Sequence, residues 1–385
     1  MSAPLITSYA PLPQSPSPWP TLDPFLFCVH HNDQYPAGQE DMSPKASLSG
    51  RHIGSDFSNK EGWSMYHGHK APGFPEHPHR GFETLTLARQ GFIDHSDSLG
   101  ATARFGQGDA QWMTAGAGVV HAEMFPLINR DAPNPTELFQ IWLNLPSKDK
   151  MAPAHFTRVW SEELPTLWVS GGEVSRASVE AKRAPLPAGA HPIAEVTAVA
   201  GELGGFKLPS PPPHSWASRP ESAVAVWSLR LQPGASLTLP PAPKGAHRTL
   251  YVFDGPKEGA LNVSEATGQE LISPAFTREG DAQERVLLRH AATLTAERAT
   301  HISNPSSAQG EEPMQALILQ GKPIGEPVAQ RGPFVMNTQA EISQTIRDYQ
   351  RTGFGGWGWG RRDPTHPRDA GRFALHADGR EERRG

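Results

Sequence analysis

The feature that most limits the possible fold is an alternation of apolar and polar residues that recurs in short segments. It is clearest in "FETLTLARQG", "GFIDHSDSLG" and "LFQIWLNLP", each of which ends at a turn signal. A period of two is typical of a β-strand with one buried face. Glycine and proline, at 37 and 39 residues, make up almost a fifth of the 385 residues and supply turns for many short strands. The sequence therefore predicts an all-β protein.

The alternation occurs in two halves that resemble each other. "HRGFETLTLARQGF" and "HRTLYVFDGP" both run from a His-Arg pair through an apolar strand to a turn with glycine, but Gly245 stands where the first half has His77. We interpret the halves as two copies of one β-unit, of which only the first keeps its polar residues. Five parts are predicted: an N-terminal tail at 1–21, a barrel with a metal site at 22–165, a crossover at 166–200, a second barrel without metal ligands at 201–325, and a helix with a Gly/Arg-rich tail at 326–385.

One amphipathic helix is predicted near the C-terminal end. Thr338 and Glu341 have the S/T-x-x-E spacing of a capping box. Ile342, Ile346 and Tyr349 then follow at i, i+4 and i+7. Such a helix would pack its apolar stripe on the surface of a barrel.

The overall composition excludes several classes of protein. The formal net charge of −5 and the pI near 6.4 give no basic footprint, so no direct binding to nucleic acid is expected. Neither a signal peptide nor a membrane-spanning apolar run is recognisable, so no membrane association is expected. The single cysteine, Cys28, cannot form an intrachain disulfide, and we expect it to pack as a small apolar residue. These observations predict a soluble, cytoplasmic protein.

Two pairs of polar residues have the spacing of metal ligands. His77 and His79 in "HPHRGFETLT" would share one face of a strand, because residues i and i+2 do so. Two neighbouring neutral imidazoles bind a metal ion well. His121 and Glu123 in "VVHAEMF" form a second pair of this kind. Two such strands inside a small barrel could bring all four side chains to one ion.

The ligand types limit the choice of metal but leave one ligand open. Three imidazoles and one carboxylate suit Fe(II), Mn(II), Ni(II), Cu(II) or Zn(II) and leave positions for water, oxygen or substrate. Glu83 is an even number of residues from His77 and His79, so it would share their face of a continuous strand. This parity alone does not decide between Glu83 and Glu123 as the carboxylate ligand. The nearby His67 and His69 could form an auxiliary metal site, but we favour their interpretation as solvated loop residues.

Three motifs of the chain resemble the pirin family, a branch of the cupin superfamily. They are "HPHRGFETLT", "GDAQWMTAGAGVVHAEM" and "GPFVMNTQAEI", and the likeness extends over about residues 22 to 350. The resemblance implies two stacked cupin barrels, each an antiparallel jelly roll, with the metal in the N-terminal barrel only. The glycine at position 245 agrees with that expectation.

The resemblance also implies the identity of the ligands. The histidines of the H-P-H motif and the His and Glu of the H-x-E motif would bind the metal, and these are His77, His79, His121 and Glu123. Glu83 would then lie beside the metal without binding it. Fe(II) is the first choice of metal, with Mn, Ni, Cu and Zn as alternatives.

Two activities of different class are implied by the family. Some pirins look like quercetin 2,3-dioxygenases, which open the central ring of a flavonol with O2 and release carbon monoxide. Others are described as iron-dependent transcriptional co-regulators that act through protein partners. We favour the dioxygenase, with a small aromatic substrate and O2 as its partners and Glu123 as general base. An enzyme needs a pocket that reaches the metal, whereas a sensor does not.

Four residues near the motifs are candidates for substrate binding. Phe82, Trp112 and Met113 would supply apolar walls, and Glu83 would line the pocket. A sugar-phosphate isomerase of the cupin type is a third possibility. It would need a basic cluster at the metal, for which only Arg80 and Arg104 are nearby candidates.

Overall fold

The computed structural model describes residues 4–178, 185–187, 189, 191–203, 205–206, 208–266, 284–308 and 310–384. Antiparallel strands dominate this part of the chain, as the alternation predicts. In chain order the strands are β1 (Ile6–Pro11), β2 (Phe25–Tyr35), β3 (Gly73–His79), β4 (Phe82–Gln90), β5 (Phe92–Asp97), β6 (Thr102–Gly106), β7 (Asp109–Thr114), β8 (Val119–Met124), β9 (Asn134–Asn144), β10 (His155–Val159), β11 (Thr166–Ser170), β12 (Glu173–Arg176), β13 (Ala194–Ala200), β14 (Ala225–Leu231), β15 (Ser236–Leu239), β16 (His247–Asp254), β17 (Ala260–Glu265), β18 (Glu284–Leu287), β19 (His290–Leu294), β20 (Thr300–Ser303), β21 (Met314–Gly321), β22 (Ala329–Arg331), β23 (Phe334–Met336), β24 (Arg372–Leu375) and β25 (Glu381–Arg384). The α-helix of the described residues is α1 (Gln339–Thr352), and short 3-10 turns lie at Lys60–Gly62, Ser147–Asp149, Trp216–Ser218, Pro220–Ser222 and Gly353–Gly355.

Two sheets form the first barrel. One has five strands in the order β10-β7-β4-β9-β2, and the other has six in the order β25-β24-β6-β5-β8-β3. A core of aromatic and aliphatic side chains lies between them, with Tyr35, Phe105, Phe125 and Trp160 among its largest members. Inward and outward residues alternate along each strand, so the polar residues of the inner face can meet inside the barrel.

The second barrel has the same plan. Its sheets have eight strands, β1-β19-β16-β21-β14-β13-β11-β12, and four strands, β15-β20-β17-β18. Its interior is almost entirely apolar and includes Trp227, Leu250, Leu261 and Ile318. Gly245 lies in the turn before β16 with φ of +82°, where glycine is favoured over residues with a side chain. The expected pair of cupin barrels is confirmed.

A third hydrophobic core joins the two barrels. Trp19 stacks on Tyr251 with ring centroids 5.3 Å apart, and Phe139 of the first barrel meets the edge of Phe253 of the second at 5.0 Å. Aliphatic residues of both barrels surround these rings. The five-stranded sheet and the eight-stranded sheet are therefore packed face to face.

Strands near both ends of the chain lie on the barrel that is more distant in sequence. β1, within the predicted N-terminal tail, pairs with β19 of the second barrel, and β24 pairs with β6 of the first. Within the predicted crossover at 166–200, β11, β12 and β13 belong to the eight-stranded sheet. These segments are not simple tails or linkers. Edge strands such as β1 and β12 are largely exposed on both faces, so they lack the alternation that identifies strands.

The predicted helix is confirmed as α1. The Thr338 hydroxyl accepts the N–H of Glu341 at 3.2 Å, and the Glu341 carboxylate accepts the N–H of Thr338 at 2.8 Å, which completes the capping box. Ile342 is buried in a small core with Phe334 and Phe354 on the outside of the first barrel. Among the described residues, no helix combines the length and the apolar character needed to cross a membrane.

Candidate metal centre

The register of two paired strands assembles three histidines. β3 and β8 are antiparallel neighbours, and His77 lies directly opposite His121. His79 follows on the same face of β3. Potential ligand nitrogens of the three side chains all lie within 4.8 Å of one another. In the described part of the chain this is the one group of at least three potential ligands that is so tightly spaced.

The three imidazoles have the chemistry of ligands. Burial lowers the pKa of His77 to about 4 and those of His79 and His121 well below the usual value, so all three are neutral at physiological pH. The Nδ1–H of His77 donates to the carbonyl of Pro75 at 2.9 Å, which leaves its Nε2 free to bind an ion. Both ring nitrogens of His121 are buried without a hydrogen-bond partner among the described residues. Such atoms are rare in folded proteins, and a bound divalent metal would account for one of the two.

Glu123 lies at the edge of the histidine cluster. Its Oε2 is 3.9 Å from Nε2 of His121, but it is not within 4.8 Å of all three imidazoles. It accepts hydrogen bonds from the Thr86 hydroxyl at 3.3 Å and from the Gln140 amide at 3.1 Å. Burial raises the pKa of Glu123, and the electrostatic interaction with His95 and these two hydrogen bonds oppose the rise.

A fourth buried histidine lies behind the cluster and was not singled out in the sequence. His95 is opposite Glu123 on β5, and its ring is 5.5 Å from that of His121. Its Nε2 is 3.1 Å from Asp97 Oδ2, and its Nδ1 is 3.2 Å from the Gln111 amide nitrogen. The spacing of His95 and Asp97 is the same i, i+2 signal that marked the other two pairs. These contacts hold the His95 ring against the centre.

A cavity of about 710 Å³ reaches His77 and His79 of the cluster. Its apolar walls come mainly from aromatic and aliphatic side chains, and its polar lining includes these two histidines and Glu123. The apolar lining is Pro16, Phe27, Val29, Phe57, Phe74, Pro75, Ile93, Phe125, Leu138, Trp142 and Pro333. The polar lining is His31, His67, His69, Glu76, His77, His79, Thr86, Glu123, Gln140, Arg362 and Asp363, with Gly54 completing the wall.

The four candidate substrate-binding residues do not line this cavity. Phe82 packs behind it, with its ring 4.4 Å from that of Trp142. Trp112 lies in the core between the barrels, and Met113 packs with Val119. The expectation that they form the walls of this cavity is therefore corrected. Trp112 faces the inter-barrel side of its sheet, whereas the cavity lies on the other side.

Glu83 lies outside the cavity as well. Its carboxylate accepts hydrogen bonds from the hydroxyls of Thr114 at 2.6 Å and Ser215 at 2.5 Å, and Ser215 belongs to the segment that leads into the second barrel. Burial raises the pKa of Glu83 to about 7, against these hydrogen bonds. Its parity with His77 has no geometric meaning, because a turn at 80–81 separates β3 from β4.

Other charged residues near the motifs have separate roles. His67 and His69 lie on the cavity lining, and His67 Nδ1 donates to the carbonyl of Gly54 at 2.8 Å. Arg80 is paired with Asp348, and Arg104 is paired with Asp94. Neither arginine lines the cavity. An isomerase of phosphorylated sugars would need a cluster of lysine and arginine residues at the metal. The described residues that line the cavity do not include such a cluster.

The fold and the cluster define a bicupin whose first barrel contains the candidate metal centre. Residues 14–143 match the family model of pirin, and residues 226–355 match that of the pirin C-terminal cupin domain. Human pirin is 31% identical to this chain over a region that covers 74% of this chain and 79% of human pirin. The chain therefore belongs to the pirin family, as its motifs predicted.

Two further relatives carry the name of an enzyme. One is a Pseudomonas aeruginosa protein with the provisional name quercetin 2,3-dioxygenase. It is 31% identical to this chain over a region that covers 72% of this chain and 79% of the relative. A crystal structure of quercetin 2,3-dioxygenase from Acinetobacter baumannii superposes with a TM-score of 0.59 and 27% identity, covering 87% of both chains. The similarity to this structure extends over both barrels.

Proposed function

We propose that this protein is a metal-dependent dioxygenase that opens the central ring of a flavonol with O2. The observation that carries this proposal is the apolar cavity that reaches His77 and His79 of the histidine cluster and Glu123 beside it. A site that only senses the state of its metal has no need of a large space beside the ion. The names of the two enzyme-like relatives point to the same chemistry.

The cavity suits a flat aromatic molecule. Its volume of about 710 Å³ falls within the range of roughly 300–1,000 Å³ that is usual for small-molecule sites. Phe27, Phe74, Phe125 and Trp142 line it with aromatic rings, which pack well on the faces or edges of another ring. These walls would also keep water from the reacting atoms, because they offer it few hydrogen bonds.

His77, His79, His121 and Glu123 are the proposed ligands of the metal, with Fe(II) as the first choice. When bound, the ion would supply Lewis acidity that favours ionisation of the substrate hydroxyl, and a template for substrate and O2. The histidine cluster fits such an ion, since its imidazoles are neutral and convergent, with His79 and His121 buried and His77 half-buried. Mn(II), Ni(II), Cu(II) and Zn(II) suit the same donors.

Glu123 is the proposed general base. Its carboxylate lies on the cavity lining beside His121, where it can take the proton of a substrate hydroxyl. Thr86 and Gln140 donate to it and so fix its orientation, and both also line the cavity. Replacement by glutamine keeps the shape of the side chain but removes the proton acceptor. A Glu123→Gln protein that retains its metal and full turnover would refute this role.

The test of the function is oxygen uptake with quercetin by protein reconstituted with Fe(II) under anaerobic conditions. Metal-free protein and His121→Ala are the negative controls. His52→Ala is the matched control, because it removes an exposed histidine that is neither in the cluster nor on the cavity lining. Uptake that requires the metal, disappears in His121→Ala and persists in His52→Ala supports the dioxygenase. Tight iron binding without uptake refutes it and favours the co-regulator, which is then tested by partner binding with Fe(II) and Fe(III).

A further inference from the structure

A buried chain of three side chains ends at the wall of the cavity. His31 on β2 is only 5% exposed and belongs to the lining. Its Nδ1 is 2.8 Å from the hydroxyl of Tyr66, and that hydroxyl is 2.7 Å from Oδ2 of Asp33. The other oxygen of Asp33 accepts the backbone N–H of Ser64 at 2.8 Å. The Nε2 of His31 has no hydrogen-bond partner among the described residues.

The protonation state of Asp33 determines which nitrogen of His31 carries the proton. An ionised carboxylate only accepts, so Tyr66 donates to Asp33 and its oxygen accepts from Nδ1–H of His31. The Nε2 of His31 then has a lone pair and accepts hydrogen bonds. If one proton is taken up at Nε2, the Nδ1 proton passes to Tyr66 and the Tyr66 proton passes to Oδ2 of Asp33. The Nε2 then donates, and the count of protons balances.

The chain of hydrogen bonds lies close to the metal centre but is separate from it. The ring of Phe74 is 5.9 Å from that of His31 and 6.4 Å from that of His77. His31 lies on the five-stranded sheet, whereas the cluster lies on the six-stranded sheet. A planar molecule that covers Phe74 can therefore reach the metal with one group and His31 with another.

We propose that Nε2 of His31 binds a hydroxyl group of the aromatic ligand, and that Asp33, acting through Tyr66, sets whether this nitrogen accepts or donates. His31 is thus a specificity-determining residue that selects polyhydroxylated rings, and Tyr66 and Asp33 are positioning residues. The inference rests on the proposed function, because it assigns the same cavity to the substrate. A phenolic hydroxyl donates well and accepts poorly, so it binds best while Asp33 is ionised.

The surroundings of the chain allow this change near neutral pH. Burial raises the pKa of Asp33 to about 7, against the hydrogen bonds from Tyr66 and Ser64. The other charged or titratable groups that act on Asp33 are Arg51 and Asp56, and these two pair with each other at 3.0 Å. Tyr35 also lies close enough to interact with Asp33, and its own pKa is raised by burial. On the other side, His30 is the titratable neighbour of His31 and is bound to Glu137 at 2.9 Å.

The experiment compares two flavonols that differ in their hydroxyl groups. Quercetin and 3-hydroxyflavone share the 3-hydroxyl and its adjacent carbonyl, but only quercetin has hydroxyls elsewhere on its rings. Kd is measured for both, without oxygen, with Fe(II)-loaded wild type, His31→Phe and Asp33→Asn. The ratio of the two Kd values isolates the contribution of the additional hydroxyls. Iron content and thermal stability show whether each variant is folded.

We expect the preference for quercetin to fall about tenfold in His31→Phe, which corresponds to about 1.4 kcal/mol for one buried hydrogen bond. The amide of Asp33→Asn donates to Tyr66 at every pH, as the protonated carboxyl does. The preference should therefore rise between pH 6 and pH 8 in wild type and stay low in Asp33→Asn. Ionisation of quercetin itself is the same with both proteins and cancels in that comparison.

The outcomes separate this inference from the proposed function. A folded His31→Phe protein with an unchanged Kd ratio overturns the role of His31. Equal pH profiles for wild type and Asp33→Asn overturn the role of Asp33. A third outcome is that wild type binds quercetin but consumes no oxygen, while His31→Phe loses the preference for quercetin. That combination supports the inference and refutes only the dioxygenase. Failure of wild type to bind either flavonol refutes both.

Discussion

Replacing Glu83 by glutamine should make the protein more stable at pH 8 but not at pH 5. The Glu83 carboxyl is fully buried, and burial raises its pKa from 4.5 to about 7. The folded state therefore binds more protons than the unfolded state between these values, and stability falls as pH rises through that range. Above pH 7 the cost of keeping this group ionised is constant, and below pH 4.5 it is absent.

The size of the effect follows from the shift of the pKa. One unit corresponds to 1.36 kcal/mol, so the displacement of Glu83 is equivalent to about 3 kcal/mol as an upper limit. Glutamine removes this cost, but it weakens the bonds that the carboxylate accepts from Thr114 and Ser215, each worth on the order of 1–2 kcal/mol. We expect a net gain of about 1 kcal/mol at pH 8 and a small loss at pH 5.

The assay is urea denaturation of metal-free wild type and Glu83→Gln at both pH values. Asp33 titrates in the same range, but it is present in both proteins and cancels in the difference. Glu258→Gln is the matched control, since Glu258 is exposed and the same substitution there should change stability little at either pH. A stability difference between wild type and Glu83→Gln that is the same at pH 5 and pH 8 would refute the reasoning.

Three further substitutions test other parts of the structure. Trp142→Ala removes the ring that lines the cavity and packs on Phe82, so Kd for quercetin should rise at least tenfold in a ligand titration while the three histidines still bind iron. Thr338→Ala removes the N-cap of α1 and should lower the free energy of unfolding by about 1 kcal/mol in urea. Arg372→Met leaves the buried Asp109 without its ion pair, and we expect a loss of about 3–5 kcal/mol by the same method. An unchanged denaturation midpoint in either of the last two variants would contradict its assignment.

Much of the fold could be predicted because it depends on local patterns. Strands with one buried face, such as β4 and β9, show their alternation directly, and the cap of α1 lies in four consecutive residues. The histidines were identified in the same way, since each pair lies on one strand. Their convergence on one point needed the pairing of β3 with β8, which the family resemblance implied and the structure contains.

The remaining features depend on contacts between distant segments. The walls of the cavity come from separate strands, as with Phe27, Phe74 and Trp142, and no local pattern distinguishes them from ordinary core residues. Glu83 was considered as a metal ligand because the alternation of strand residues was extended across a turn, and its expected place on the pocket wall followed from the family resemblance. Its partner Ser215 is 132 residues away and could not be identified from spacing.

The exchange of strands between the barrels has a consequence for the order in which the protein is completed. During synthesis the residues of the metal centre emerge well before those of the second barrel. The sheet that carries His77 and His121, however, receives β24 and β25 from residues 372–384, after the whole second barrel has been made. Before that point β6 has an unpaired edge, and Asp94 lacks the backbone N–H of His366, which it accepts at 2.8 Å. The first barrel can therefore be completed only after the second barrel has been synthesised. A fusion or cleavage near residue 372 would thus disturb the sheet of the metal-binding barrel, although the site is far from that barrel in sequence.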